Sequence, residues 1–153
     1  MKLERVELFK VRARLKFRFE TSFGSEQDLS KVILVLHGEG LEGYGEATAN
    51  NDPGYSYETS DTVFLALRDH ILPQVLGRDY ATPAQLLRAL RFVRGHNMAV
   101  ATLETAFWDL QAKAAGLPLW HLLGGERLQH PVGASLGIQS TLEQTVEIAR
   151  QHI

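Results

Sequence analysis

From Phe9 to Glu20, apolar and charged residues alternate without a break. Phe9, Val11, Ala13, Leu15, Phe17 and Phe19 hold the odd positions, and Lys10, Arg12, Arg14, Lys16, Arg18 and Glu20 the even ones. A period of two belongs to a strand with one face in a core and the other in water; a helix cannot carry it. A half-buried strand needs partners, and two later runs supply them. Val32 to Leu36 is continuous and rich in β-branched residues, and the turn-rich stretch 37–43 leads into a short strand near Tyr44 to Ala47. The expected sheet is an antiparallel three-stranded meander with two irregular stretches, a polar connection over 21–30 and the segment 48–57.

Helical spacing takes over next. Val63, Phe64, Leu67 and Ile71 recur at helical intervals from Glu58 to Leu72, and Pro73, which has no N–H to donate, is expected to end that helix. Thr82, Pro83 and Gln85 make an N-cap, a first-turn proline and a capping-box partner, so a second helix should run from there toward Val93. A third starts near Asn97 with an apolar stripe of Val100, Leu103, Phe107, Leu110 and Ala114, and its many alanines permit close approach. Trp108 is expected in its core face. Gly116 and Pro118 stop it, and 119–123 add one more turn before Gly124 and Gly125.

Beyond Pro131 the period returns to two. Val132, Ala134, Leu136 and Ile138 alternate with Gly133, Ser135, Gly137 and Gln139, and Ser140, Thr141 and Glu143 then announce a helix. A lone βα unit cannot satisfy its strand or cover its apolar face, so the natural chain is expected to continue. The fold class expected is α+β: a three-stranded antiparallel meander followed by a helical bundle over 1–125, then a linker and the first βα unit of a β/α barrel over 126–153.

A hydrophobic content of 44% can fill a core, and 16 basic against 18 acidic residues leave a net charge of −2, which argues against nucleic acid or an anionic membrane as partner. The chain has no cysteine, which excludes disulfides and thiol chemistry. No signal-peptide core and no membrane-length apolar run is visible, so a cytoplasmic location is the expectation. His37, His70, His96, His121, His130 and His152 show no metal-ligand spacing, and Glu104 and Asp109 are expected to cap or pair rather than to move protons. Gly38-Glu39-Gly40 lacks the strand-loop-helix setting of a phosphate cradle and is expected to be a hairpin turn.

Five segments in fixed order resemble the enolase superfamily: FRFETSFG at 17–24, GEA at 45–47, WDL at 108–110, PLWHLLGG at 118–125 and VGASLGIQ at 132–139. The first and the last two are similar to the o-succinylbenzoate synthase and N-acylamino acid racemase branch. The resemblance implies that 1–125 is an enolase-like capping domain. It also implies an enzyme that removes the proton α to a carboxylate with a lysine, assisted by Mg²⁺ or another divalent metal, to give dehydration or racemisation. The lysines and acidic metal ligands are expected beyond Ile153, so these residues hold no catalytic group and no metal ligand and are expected to be inactive alone. The partner implied is a small-molecule carboxylate substrate, and the resemblance adds a homo-oligomer. Muconate-cycloisomerase-like or dipeptide-epimerase activity stays open, as does a non-catalytic capping or assembly module.

In that family two capping-domain loops close over the barrel mouth, and they correspond here to 19–28 and 48–57. The substrate-binding residues implied are Phe19, Phe23, Asn50, Tyr55 and Ser135. Phe23, a bulky aromatic inside the polar run 21–25, must pack on something. Phe19 ends the buried face of its strand and could equally be core, Asn50 and Tyr55 could equally shape a turn, and Ser135, which the resemblance implies is the inward-facing contact of the first barrel strand, could equally be a hydroxyl satisfied by backbone or water.

Overall fold

The computed structural model describes residues 1–22 and 24–152. Three antiparallel strands, β1 (Arg5–Thr21), β2 (Gly24–Gly38) and β3 (Leu41–Ala47), form one sheet in the order β1-β2-β3. Helices follow in sequence: α1 (Ser60–Leu65), a π-helical segment (Ala66–Ile71), α2 (Leu72–Val75), α3 (Pro83–Ala89), α4 (Asn97–Ala114), α5 (Leu119–Leu122) and α6 (Leu142–Arg150). The α+β expectation holds.

The core face of the sheet is set by β2, where Val32, Leu34 and Leu36 are fully buried. Residues directly opposite one another share a face, so Leu8, paired with Leu34, and Val6, paired with Leu36, also look inward. This reverses the expected role of the alternation in β1. Phe9, Val11 and Ala13, ahead of the register shift, lie on the outer face, where Phe9 and Val11 stay 45% and 38% exposed, while Lys10 pairs with Asp61 of α1 on the inner side.

The register then slips. Arg14 pairs with Asp28 but Phe19 pairs with Glu26, so β1 advances five positions while β2 advances two. An odd excess inverts which side chains face inward. Phe19 and Thr21, opposite Glu26 and Gly24, therefore return to the inner face at the hairpin tip. The connection expected over 21–30 is mostly ladder, because pairing continues out to Thr21 and Gly24.

Behind the sheet, α4 lies against β3 through two glycines. A Cβ on Gly45 would sit 2.0 Å from the Thr102 carbonyl oxygen, and one on Gly43 would sit 2.1 Å from that of Ala106. Ala99, Leu103, Ala106, Phe107 and Leu110 are buried in that contact. Trp108, by contrast, is half-buried beside the core and donates its indole N–H to Glu104 at 3.3 Å, because it falls one position off the inward stripe. Asp109 pairs with Lys113 at 2.7 Å, as expected of a structural carboxylate.

Pro73 does not end its helix. The chain widens into a π-turn, with Leu72 N–H bonded to the Leu67 carbonyl, and runs on to Val75. Widening the turn before the proline spares its ring the clash that a regular turn would impose. The α3 helix stops at Ala89 rather than Val93; tighter turns follow, with Arg91 N–H on Arg88 O at 3.3 Å and Val93 N–H on Leu90 O at 3.0 Å. Of the expected βα unit the helical half, α6, is formed. Residues 132–139 join no ladder among the described residues; a parallel strand needs neighbours along its length, and among those residues a single backbone bond reaches the sheet, from Ile138 N–H to the Glu20 carbonyl at 3.0 Å.

Candidate functional site

The hairpin tip and the segment after β3 face each other across a cavity of about 660 Å³. Phe19, Thr21 and Glu26 line one side, Asn50, Asp52 and Tyr55 the other, and Met98 of α4 lies at the back. Phe19 and Tyr55 leave 39% and 77% of their surfaces exposed. Aromatic area held open beside polar groups suits a small organic ligand.

Phe19 reaches this cavity through the register slip, since the strand's own alternation would have placed it with Phe9 on the outer face. The opposite wall is pinned at several points. Asn51 Oδ1 accepts the Ser30 N–H at 3.1 Å, and its Nδ2 donates to the Asp28 carbonyl at 3.3 Å, which ties the loop to β2. Asp52 Oδ1 accepts the Gly54 N–H at 2.8 Å and closes a local turn. Asn50 and Thr59 form an isolated parallel bridge, and the Asn50 carbonyl accepts the Ser60 N–H at 2.9 Å. The buried Ser60 hydroxyl donates to the Ser30 carbonyl at 2.6 Å. The two ends of the loop are therefore held side by side while residues 51–58 arch over the cavity.

Glu58 closes the arch. It is 1% exposed, and its carboxylate accepts N–H groups from Met98 at 2.7 Å and Ala99 at 3.2 Å, at the start of α4. That helix has no side-chain cap of its own, since His96 at the N-cap is left-handed (φ 48). Tyr57 adds a second link, its hydroxyl accepting from Asn97 Nδ2 at 3.1 Å.

Of the residues expected at the site, the structure brings Phe19, Asn50 and Tyr55 together. Phe23 lies outside the described residues. Ser135 is exposed and does not line the cavity; the nearest approach of its segment is at Gly137 and Ile138, where Ile138 N–H bonds the Glu20 carbonyl at 3.0 Å. Sequence reasoning missed Glu26, Asp52, Met98 and Glu58. Asp52 before Pro53 and Gly54 carries a local turn signal, but the partners of Glu58 stand forty residues away and leave no local trace. Among the described residues no three His, Asp or Glu side chains converge as metal ligands, and the cavity's two carboxylates, Glu26 and Asp52, have no third beside them. The residues present do not fit a divalent-metal site.

Residues 4–124 match the family model described as mandelate racemase / muconate lactonizing enzyme, N-terminal domain. Over its full length the chain is 47% identical to an N-succinylamino acid racemase of Thermus thermophilus, of which it covers 42%. Over 99% of its length it is 36% identical to an o-succinylbenzoate synthase of Geobacillus kaustophilus, of which it covers 40%. A solved structure of an enolase-superfamily member from Listeria innocua matches with a TM-score of 0.91 at 29% identity, over 99% of this chain and 41% of that one. The chain thus spans about two fifths of the length of the relatives it matches.

Proposed function

Because the chain belongs to the mandelate racemase / muconate lactonizing enzyme family of the enolase superfamily, as its N-terminal domain, we propose that it is the substrate-enclosing part of an o-succinylbenzoate synthase or N-acylamino acid racemase. The observation that carries this is the cavity between the hairpin tip and the pinned 50–59 loop, with Phe19 and Tyr55 open toward it. Relatives named for both activities support the pairing of the two chemistries. Both begin by removing the proton α to a carboxylate, so one enclosing domain serves either.

In this reading the cap contributes binding and water exclusion. Phe19 and Tyr55 cover the apolar part of an N-acylamino acid or of the succinylbenzoate precursor, and Asn50 offers an amide near its polar edge. Covering the reacting centre lowers the local dielectric and strengthens the interactions that act on the developing charge. The base and the divalent-metal ligands lie outside these residues, and the metal-dependent step is assigned to the remainder of the enzyme. The protein is proposed to be cytoplasmic; no helix among the described residues is long and apolar enough to cross a membrane. The exposed Phe9 and Val11 of the outer sheet face support a homo-oligomer.

The test uses the longest natural chain containing these residues. Racemisation of N-succinylamino acids is followed by polarimetry and o-succinylbenzoate formation by absorbance. Either activity, reduced by Phe19→Ala by about tenfold in kcat/KM on bulky substrates and less on truncated ones, supports the reading. Absence of both activities overturns it.

A further inference from the structure

We propose that Glu58 is a positioning residue for the cavity: its buried carboxylate locks the 50–59 loop and Met98 into one arrangement by capping α4 from a distant part of the chain. The inference rests on the functional reading for its kinetic consequence, and on geometry alone for the locking itself. Glu58 is 1% exposed, and no cation forms a salt bridge with it among the described residues. A bare charge there is costly. What compensates it is the start of an eighteen-residue helix, whose unbonded N–H groups and dipole favour an anion. The two N–H groups it receives belong to Met98, which lines the cavity, and to Ala99, which is fully buried against the sheet.

The loop is therefore fastened to two different supports. Asn51 and Ser60 hold it to β2 at Ser30, with the Asn50–Thr59 bridge joining its two ends, while Glu58 and Tyr57 hold it to α4. Tyr55 and Ser56 sit between the fastenings. Gly95 runs beside Tyr57, where a Cβ would come within 3.7 Å of its ring, so the turn into α4 is part of the same assembly. Loss of one acceptor at Glu58 should free the arch while leaving the sheet core, anchored by Val32, Leu34 and Leu36, in place.

Glu58→Gln tests this, because it keeps size while converting one acceptor oxygen into an NH₂ that cannot accept. The expected result is amide exchange about tenfold faster, confined to 51–57, Met98 and Ala99, with Val32 to Leu36 unchanged. In the intact enzyme KM for a bulky N-acylamino acid should rise about fivefold, with kcat within about twofold and a truncated substrate little affected. Unchanged exchange in the loop overturns the proposal. Exchange that rises equally through the sheet, or a uniform loss on every substrate, also overturns it, since that is the signature of a general stabiliser. If wild-type enzyme turns over none of these substrates, the functional reading fails, and local exchange still decides the role of Glu58.

Discussion

Gly45 and Gly43 carry no functional group, yet at residue scale they decide how close α4 comes to the sheet. The obstacle a side chain would meet at either position is main-chain carbonyl oxygen, which cannot swing aside. Gly45→Ala should therefore destabilise by about 1–3 kcal/mol or more, and Ala106→Leu, on the facing side of the same contact, by about 1–3 kcal/mol. Urea midpoints of the two variants check this, and an unchanged midpoint would show that the helix can slide. A second residue-scale expectation concerns acid. The Glu7 carboxyl is held below the usual carboxylate range, first by its hydrogen bond to His37 at 2.8 Å and then by Arg5. A carboxyl whose folded pKa is depressed adds stability that is present above its unfolded value of about 4.3 and is lost as pH falls through the folded value. Glu7→Gln should flatten the decline of the melting temperature below about pH 5 while leaving the neutral limb nearly parallel to wild type.

At element scale, Thr59 makes a full capping box with Thr62, each backbone N–H bonded to the other's hydroxyl. Thr59→Ala should lower stability by about 1 kcal/mol, measured by denaturant titration. Such local devices were legible: Thr82 with Gln85 announced α3, Thr141 announced α6, and Gly116 with Pro118 marked the end of α4. The core part of β2 was legible as a continuous β-branched run and β3 from the turn-rich stretch before it, while the stripe of Leu103, Phe107 and Leu110 was legible because its period reflects a face that is in fact buried. Two things were not. The alternation in β1 shows that two faces differ but not which one meets the helices, because that is settled by its pairing with β2. The π-turn before Pro73 was hidden because a proline's lost hydrogen bond can be absorbed by a wider turn as well as by a stop. For the site, Phe19 and Tyr55 stood out as aromatics near polar stretches, whereas Met98 at the cavity and Glu58, which fastens it, are brought in only by long-range contacts.

At the scale of the whole molecule, every buried hydrophobic among the described residues lies between Leu3 and Ala112, and neither α5 nor α6 has a buried residue. A chain cut after Gly125 should therefore keep the melting temperature of the 153-residue chain within a degree or two, on the order of 0.5 kcal/mol or less. A large drop would show that 126–153 belongs to the same folding unit. Calorimetric titration of the 153-residue chain with Mg²⁺ should find no stoichiometric micromolar site, and finding one would place metal ligands where no convergent carboxylates are seen. The slip in β1 has a consequence for how such a domain can change over time. One stretch of ladder is locked by the core and the other by the hairpin turn, and the residues between Arg14 and Phe19 merely reconcile the two. Chain length can vary there as slack varies in a rope between two fixed knots. An insertion or deletion at that point would lengthen or shorten the slack while leaving both the core and the aromatic at the tip where they are.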